Sequence, residues 1–306
     1  MLWTAHMWLL ALFTLEAQEE IWSNPNTLAS SVVNTTGDVV PVEGGYRWTG
    51  RGFFSSGVDH CNWLTAAVPV KRAGDDGPPE RRWLLLPRED FEIVDDWYTV
   101  GLKGTGSKTI IVNDAFIPEY RTVASKDIEE GTSPGHDVHA NPMYGAISTA
   151  NFTAAMGAPA LGAARGFLRA YEDRLRSKSE NIDDGLTINL SRYAQAVAQV
   201  DAAHASTLQN AQRFARLPAR DVGAEERAKC RRDQAFAAQT SRKTVNFLYE
   251  EAGGSGLYEK SDLQRLWRDT NAAAAHHGLT WDWVSVAWTK TILGLPTVAG
   301  WNLTRA

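Results

Sequence analysis

Two adjacent histidines near the C-terminal end of the sequence are the side chains best suited to moving a proton. His276 and His277 follow a run of four alanines, Ala272–Ala275, which leaves open space beside the rings. Imidazole titrates near neutral pH and therefore suits general acid–base chemistry. If the stretch is helical, adjacent rings point about 100° apart, so at most one of them faces a given site. A purely structural role for a core histidine is the alternative.

A second stretch, Phe53-Phe54-Ser55-Ser56-Gly57, has the composition of a β-strand that ends against a ligand. Small hydroxyl residues and glycine let the backbone and the Oγ atoms approach a flat molecule closely. The alternative is a strand that simply runs into a Ser-Gly turn. A third stretch, Gly253-Gly254, lies between two predicted helices, where glycines cap a helix end and do not form a dinucleotide-binding fingerprint.

The N-terminal residues predict one amphipathic helix from Trp3 to Trp22. Its apolar residues fall near helical spacing together with His6, and the polar run Glu16–Glu20 ends it. No Lys or Arg precedes the apolar run, which argues against a signal peptide, and the run is too short to span a bilayer. We interpret segment 1–23 as the last helix of a truncated N-terminal helical domain.

The rest of the chain predicts an α+β fold in two parts. Residues 24–130 alternate short apolar runs with turn signals, which indicates a small β domain, a compact barrel or a sandwich, and we favour a β-barrel. Residues 131–306 are rich in alanine with few breakers, which predicts a C-terminal four-helix bundle. The predicted strands are 28–33, 39–42, 46–55, 63–70, 83–87, 91–97 and 109–116. The predicted helical regions are 146–177, 190–217, 224–251 and 263–293.

Composition argues against several classes of function. The formal net charge of -5 and the pI near 5.8 disfavour a nucleic-acid-binding surface, and the basic run Arg231-Arg232 is interpreted as a solvated helix face. The only cysteines, Cys61 and Cys230, lie far apart, which fits a reducing cytoplasm and excludes a Cys-rich zinc site. No histidine pair has a helical ligand spacing with a carboxylate, so we expect no metal site. We expect a cytoplasmic protein that binds neither nucleic acid nor membrane.

Four stretches in this order resemble those of one protein family. They are Phe53–His60, Gly101–Ser107, Ala158–Gly162 and Leu263–His276. Together they resemble the acyl-CoA dehydrogenase fold, in which a β domain and a C-terminal four-helix bundle clamp a flavin. Within that fold the chain looks like the reduced-flavin aromatic monooxygenases. These are the oxygenase components of two-component systems, such as 4-hydroxyphenylacetate 3-hydroxylase and the secosteroid phenol hydroxylase.

The resemblance implies a specific chemistry. A separate flavin reductase would supply reduced FMN or FAD, and dioxygen would add at the flavin C4a carbon to give a hydroperoxide. The hydroperoxide would hydroxylate a phenolic or polycyclic aromatic substrate, while the protein orients the flavin and keeps water out. Segment 141–152 contains no Arg or Lys to pair with a substrate carboxylate, so we expect a neutral phenol or polycyclic compound.

The resemblance also implies roles for individual residues. Ser55 matches the hydroxyl residue that hydrogen-bonds flavin N5, and Phe53 lies on the same flavin-binding strand. His276, which we prefer to His277, would take up the phenolic proton. His6 would line the same pocket from the preceding helix, with a satisfied core histidine as the alternative. The remaining predicted flavin contacts are Ser30 and Ser31 on the first strand, and Gly253 and Gly254 in a turn that reaches the flavin of a neighbouring subunit. A homodimer or homotetramer follows from that turn.

Two alternatives carry different chemistry. An acyl-CoA dehydrogenase needs a carboxylate base just after the Arg268-Asp269 pair, yet no Glu occurs from Asn271 to Trp288. Members of the resembling family have a whole helical domain before the β domain, of which this sequence has only the last helix. An inactive flavin-binding relic is therefore the second alternative.

Overall fold

The computed structural model describes residues 2–71, 77–139, 141–145, 148–178, 184–214 and 217–296. It begins with two short helices, α1 (Leu2–Leu10) and α2 (Leu15–Trp22), so the prediction of one continuous helix is wrong. The break occurs at Thr14, whose Oγ1 accepts a hydrogen bond from the Ala17 N–H over 3.2 Å and caps α2. The same hydroxyl donates to the Tyr120 carbonyl over 2.7 Å, which fixes the turn against a later loop.

Eight strands follow and form two separate sheets. They are β1 (Ala29–Val32), β2 (Asn34–Val42), β3 (Gly45–Ser55), β4 (Trp63–Val70), β5 (Glu80–Pro87), β6 (Glu92–Val94), β7 (Lys108–Pro118) and β8 (Thr122–Ala124). The strand orders are β1-β4-β5-β8 and β2-β3-β7-β6. β1 pairs with β4 in parallel, and the other pairings are antiparallel.

The described strands do not close into the barrel that the sequence suggested. Each sheet keeps its own edge strands. The chain leaves one sheet after β1 and enters the other at β2, with Val33 between the two strands. Side chains from the inner faces of both sheets, including Trp48, Leu64, Leu84 and Ile110, share one buried cluster. The arrangement is therefore a two-sheet sandwich.

Six helices make up the other part of the described chain. They are α3 (Ser125–Glu130), α4 (Ser148–Lys178), α5 (Asp184–Phe214), α6 (Ala224–Tyr249), α7 (Asp262–Ala274) and α8 (Trp281–Ile292). Helices α4 to α7 pack around a core that includes Phe167, Tyr171, Val200 and Val245. Among the helices described, none is both long enough and apolar enough to cross a membrane.

The predicted fourth helical region is not continuous. α7 ends at Ala274, and His276 is extended, with φ −56° and ψ 129°, before a 3₁₀ turn from His277 to Leu279 leads into α8. The two histidines therefore lie in a connection between helices. The prediction that both belong to one helix is wrong, and the argument from a 100° angular separation does not apply to them.

Candidate functional site

A β-bulge at Phe54 turns Ser55 into the protein. Gly52 pairs with Ile110 and Ser55 pairs with Lys108, so three steps along β3 match two steps along β7. The φ of Phe54 is +63°, a left-handed value that is unusual for a bulky side chain. Without the extra residue, side-chain alternation would carry Ser55 to the outer face. With it, Ser55 is fully buried and the Phe54 ring is exposed.

Ser55 belongs to a group of neighbouring hydroxyls on β1 and β3. The Oγ atoms of Ser30 and Ser55 lie 2.8 Å apart, and the Ser30 hydroxyl donates to the Ser56 carbonyl over 2.9 Å. Ser31 points the other way, as strand alternation requires, and its Oγ lies 2.6 Å from Oγ1 of Thr65. The structure thus brings Ser30 to Ser55 and leaves Ser31 outside this group.

A second group of hydroxyls joins the end of β3 to the Gly101–Ser107 loop. The Oγ of Ser56 lies 2.7 Å from Oγ of Ser107, which lies 2.7 Å from Oγ1 of Thr105. The Thr105 hydroxyl donates to the Leu102 carbonyl over 2.9 Å. This loop was recognised as a motif in the sequence, but the role of its hydroxyls was missed.

These polar groups differ in their access to solvent. Ser30 and Ser55 are fully buried, whereas Phe53 and Ser56 are half-buried. Phe53 and Ser56 therefore lie at the open side of the group. A ligand can touch the Ser55 Oγ only if neighbouring side chains move aside.

His6 on α1 lies directly behind β1. Its Nδ1 is 3.0 Å from the carbonyl oxygen of Ala29, the residue before Ser30. A carbonyl only accepts, so Nδ1 carries the ring hydrogen and Nε2 presents a lone pair. Burial lowers the pKa of His6 to about 4, outweighing the opposing effect of the Ala29 hydrogen bond, so the ring is neutral at pH 7. His6 is thus a buried hydrogen-bond acceptor at Nε2.

His276 has the opposite tautomer. The backbone N–H of Gly278 donates to its Nδ1 over 3.0 Å, and a backbone N–H only donates. Desolvation by the surrounding protein atoms lowers the pKa of His276 to about 4, with smaller lowering effects from the neighbouring His277 and from the charge of Arg231, although His276 is an exposed residue. The neutral ring therefore carries its hydrogen on Nε2. His276 presents an N–H donor, whereas the neighbouring His277 is an exposed residue at the start of the 3₁₀ turn.

Arg231 on α6 is a charged group that the sequence interpretation misjudged. Burial lowers its pKa to about 10, and its charge acts on His276, so it is not part of a solvated helix face. The next residue, Arg232, behaves differently: its guanidinium bonds Asp233 and lies 4.3 Å from the centre of the Trp288 ring. Nothing in the two-residue run itself distinguishes one arginine from the other.

Leu102 joins the serine groups to the histidine connection. Its carbonyl accepts the hydrogen bond from Thr105, the last hydroxyl of the second group. Its side chain packs against a buried cluster that contains Ala273 and Ala274, which precede His276, and Leu279, which follows it. The Asp269 carboxylate accepts a hydrogen bond from the Leu102 N–H over 2.7 Å. Leu102 therefore contacts both the loop whose hydroxyls bond Ser56 and the residues on either side of His276.

Gly253 and Gly254 lie elsewhere in the single chain. They follow the C-terminal end of α6, whereas Arg231, which acts on His276, lies toward its N-terminal end. At 1.5 Å per residue, the 18 residues from Arg231 to Tyr249 span about 27 Å. Both glycines are exposed, and a Cβ added to either would meet nothing within 4 Å. Within one chain they do not join the serine and histidine groups.

The groups that do meet fit a flavin in their chemistry. Hydroxyl oxygens at the end of β3 suit the polar edge of an isoalloxazine ring, and Phe53 on the same strand is half-buried. The imidazole N–H of His276 adds a donor on the side of the helices. The directions of the hydrogen bonds, and the part played by Leu102 and Asp269, could not be found from the sequence because they depend on tertiary contacts.

Comparisons with known proteins agree on one family. Residues 154–281 match the family described as acyl-CoA dehydrogenase, C-terminal domain. The chain is 33% identical over 310 residues to the oxygenase component of an FADH2-dependent resorcinol hydroxylase from Rhizobium sp. (strain MTP-10005), covering 95% of this chain and 75% of that protein. It is 35% identical over 280 residues to the oxygenase subunit HsaA of a flavin-dependent monooxygenase from Mycobacterium tuberculosis (strain ATCC 25618 / H37Rv), covering 89% and 70%.

A solved structure agrees with these relatives. The crystal structure of the HsaA monooxygenase from M. tuberculosis superimposes with a TM-score of 0.90 at 33% identity, over 98% of this chain and 79% of that one. The predicted acyl-CoA dehydrogenase-like fold is confirmed. The chain belongs to the family of flavin-dependent monooxygenase oxygenase components.

Proposed function

We propose that this chain hydroxylates a phenolic or other aromatic substrate with reduced flavin that a separate reductase supplies. The observation that carries the proposal is that Leu102 brings the hydroxyl groups at the end of β3 and the His276 connection to the same region. When bound, reduced flavin supplies the electrons that activate dioxygen for transfer of one oxygen atom to the ring. FMN and FAD are both compatible with the residues named.

The two imidazoles support a division of roles that differs from the sequence hypothesis. His276, expected to take up the phenolic proton, has its Nδ1 engaged by Gly278 and its hydrogen on Nε2, so it suits donation to a developing oxyanion. His6 has a lone pair at Nε2 and suits acceptance of the phenolic proton. We therefore propose His6 as the base and His276 as the hydrogen-bond donor.

The low pKa of His6 constrains when the proton moves. A phenol has an ordinary pKa of about 10, so full transfer to an imidazole of pKa about 4 is unfavourable before the ring reacts. The proton instead moves as the substrate oxygen loses electron density to the ring during attack. General acid–base catalysis contributes on the order of 10²- to 10⁴-fold in rate, and a base with a pKa of about 4 belongs at the lower end of that range, because its pKa lies well below the operating pH.

For the substrate, we propose a neutral phenol, because segment 141–152 offers no cation. Phenolic acids are the second candidate, favoured by Arg231, whose charge acts on His276. A panel of neutral phenols and phenolic acids of matched size, assayed with and without Arg231→Gln, separates the two. Selective loss of turnover of the acids in the variant would support the second candidate.

We also propose that the protein works as a homodimer or homotetramer. The turn at Gly253 and Gly254 is open, and α8 exposes large apolar side chains, of which Trp283 is 72% and Val286 51% exposed. Large exposed apolar residues on one helix are typical of subunit interfaces. Light scattering after size exclusion measures the mass, and Trp283→Asp should lower it. A wild-type protein of monomer mass would contradict this proposal.

The decisive experiment supplies reduced flavin from a generic flavin reductase and measures hydroxylated product per dioxygen consumed. We expect product with at least one phenol, together with an absorbance transient before oxidised flavin appears on rapid mixing with oxygen. Immediate oxidation of the flavin without hydroxylated product would support the alternative of an inactive flavin-binding relic. Bleaching of oxidised flavin by an acyl-CoA without oxygen would support the dehydrogenase.

A further inference from the structure

One face of α6 lies against the connection that carries His276. Arg231, Gln234 and Ala238 are spaced three and four residues apart, so they share one side of the helix. The charge of Arg231 acts on His276, and Ala238 packs in the buried cluster that contains Leu279. Gln234 lies between these two residues on α6 and therefore faces the same connection.

The neighbours of Gln234 support this placement. A Cβ built on Gly157 of α4 would lie 3.9 Å from the Cβ of Gln234 and 3.8 Å from the Cδ2 of Leu279, so the three residues meet. The other members of the buried cluster around Leu279 have small side chains: Ala160, Ala238, Ala273 and Ala274. Met156 on α4 packs against this cluster and is half-buried. Because an unbranched methionine side chain can swing aside, Met156 offers a route by which a ligand reaches Gln234.

Gln234 is a buried amide with one polar atom left unsatisfied. The residue is 3% exposed, and its Nε2 contacts the Sγ of Cys230 over 3.5 Å, a weak hydrogen bond because sulfur is a weak acceptor. Within the described part of the chain, the Oε1 of Gln234 has no hydrogen-bond partner. A buried polar atom without a partner destabilises the folded chain, and a ligand that brings a donor to it removes that cost.

We propose that Gln234 determines substrate specificity, and that its Oε1 accepts a hydrogen bond from a second hydroxyl on the ring of the phenolic substrate. Such a site selects dihydroxylated aromatic compounds, because Oε1 bonds only a donor and repels the lone pairs of an ether or a carboxylate. A site that bonds a substrate hydroxyl discriminates strongly against an analogue without it, since the buried atom then stays unpaired. This inference rests on the proposed function, because it places the substrate ring beside His276.

The experiment compares phenols of similar shape in the hydroxylation assay with a generic flavin reductase. In each pair, one phenol carries a second hydroxyl and the other a methoxy group at the same ring position, and both a 3-substituted and a 4-substituted pair are measured. Gln234→Met keeps an unbranched side chain and removes its polar atoms. Gln18→Met is the matched control, since Gln18 is also 3% exposed but bonds the Ala11 carbonyl, the Phe13 carbonyl and the His139 ring.

We expect kcat/KM of the wild type to favour the dihydroxy compound over its methoxy partner by about tenfold in at least one pair. This preference should disappear in Gln234→Met, through a higher KM for the dihydroxy compound, and stay unchanged in Gln18→Met. Thermal unfolding should show no loss of stability in Gln234→Met, because the variant removes an unsatisfied atom. Gln18→Met breaks three hydrogen bonds and should unfold at a lower temperature than the wild type.

Three results would overturn this inference alone. They are a wild type without preference in either pair, a preference that survives in Gln234→Met, and a loss of stability in Gln234→Met as large as that in Gln18→Met. The first would mean that the amide presents Nε2 instead of Oε1, and the third that Oε1 bonds a structural partner. Failure of the wild type to hydroxylate any phenol would overturn the proposed function and this inference with it.

Discussion

The carboxylate of Asp269 accepts a hydrogen bond from the backbone N–H of Leu102 over 2.7 Å, and this contact ties the sheet region to α7. Leu102 is held there with a φ of +54°, an uncommon value for a leucine. The guanidinium of Arg268 bonds the Val100 carbonyl, and a Cβ on Gly101 would lie 2.5 Å from the Arg268 carbonyl oxygen. Arg268 and Asp269 thus hold the loop that carries Thr105 against α7, and these two contacts are called the latch below.

Removing this latch should cost stability. A hydrogen bond to a charged acceptor contributes about 1.5–3 kcal/mol, and Asp269→Ala also leaves the Leu102 N–H without its acceptor. We expect Asp269→Ala to lower the free energy of unfolding by about 2 kcal/mol, and Asp269→Asn by less, because its amide oxygen still accepts. Urea unfolding measures both.

Asp262→Ala is the control, since Asp262 forms an exposed ion pair with Arg265 on the same helix. Asp262→Ala should change the free energy of unfolding by no more than about 0.5 kcal/mol, the usual contribution of an exposed ion pair on a helix. Equal losses in Asp269→Ala and Asp262→Ala would contradict the latch.

The elements that the sequence predicts well are those whose pattern is local. The predicted strand 63–70 has the bounds of β4 because it is a short apolar run bounded by turn residues. The predicted helix at 224–251 begins where α6 begins. The histidine connection was missed for the opposite reason: Ala272–Ala275 favours helix locally, and the extended His276 depends on the Gly278 N–H that meets its ring.

The site shows the same division. Serines at a strand end can be proposed as ligands from sequence, and Ser30 does meet Ser55. The direction of the Ser30 hydroxyl hydrogen and the tautomer of His6 cannot be predicted in this way, because each depends on a carbonyl more than 20 residues away along the chain. The Phe54 bulge that decides the side to which Ser55 points also carries no signal in the residues themselves.

The bulge gives a test of backbone strain. Phe54 has φ +63° and is 61% exposed, so Phe54→Gly relieves a left-handed conformation worth about 1–2 kcal/mol and loses little burial. The loss of the Trp97 edge contact and the added freedom of glycine offset much of that gain. We expect a free energy of unfolding within about 0.5 kcal/mol of wild type.

Phe116→Gly provides the comparison, since Phe116 lies on β7 with an ordinary φ and is 42% exposed. Because Phe116→Gly relieves no strain, it should lower the free energy of unfolding by more than about 1 kcal/mol. Phe54→Val places a branched side chain at positive φ and should also lower the free energy of unfolding. Urea unfolding of all three variants decides the matter. A Phe54→Gly loss as large as that of Phe116→Gly would show that Phe54 is not strained.

Burial of His6 should make the fold sensitive to acid. The pKa falls from an ordinary 6.5 to about 4 in the folded chain, so between these values the unfolded chain holds a proton that the folded chain does not. The free energy of unfolding therefore declines as pH falls from 6.5 to about 4, by at most about 3 kcal/mol from this group. Urea unfolding at pH 7 and pH 4.5 should show a smaller decline in His6→Gln, because an amide takes up no proton in this range.

The exposed His60 is the control for this experiment. Carboxylates also titrate in this window, so the informative quantity is the difference between each variant and the wild type. His60→Gln should follow the wild-type decline. If His6→Gln follows it as well, His6 takes up its proton as readily in the folded chain as in the unfolded one.

Alanine and glutamine variants of His276 separate a hydrogen-bond donor from a base. A side chain that donates one hydrogen bond to developing charge contributes about 1.5–3 kcal/mol, so His276→Ala should lower product formed per reduced flavin by at least tenfold. Glutamine places an N–H where the imidazole Nε2–H lies but has no basic nitrogen. His276→Gln should therefore stay within about fivefold of the wild type if His276 acts as a donor.

If His276 instead removes the phenolic proton, the glutamine variant should be as impaired as the alanine variant, because neither can take up a proton. The pH profile gives an independent measure. A donor that stays neutral above pH 5 adds no ionisation between pH 5 and pH 8, so His276→Gln should leave the shape of that profile unchanged. Loss of a titration step in His276→Gln, with equal impairment of both variants, would restore the base role to His276 and remove the division of labour with His6.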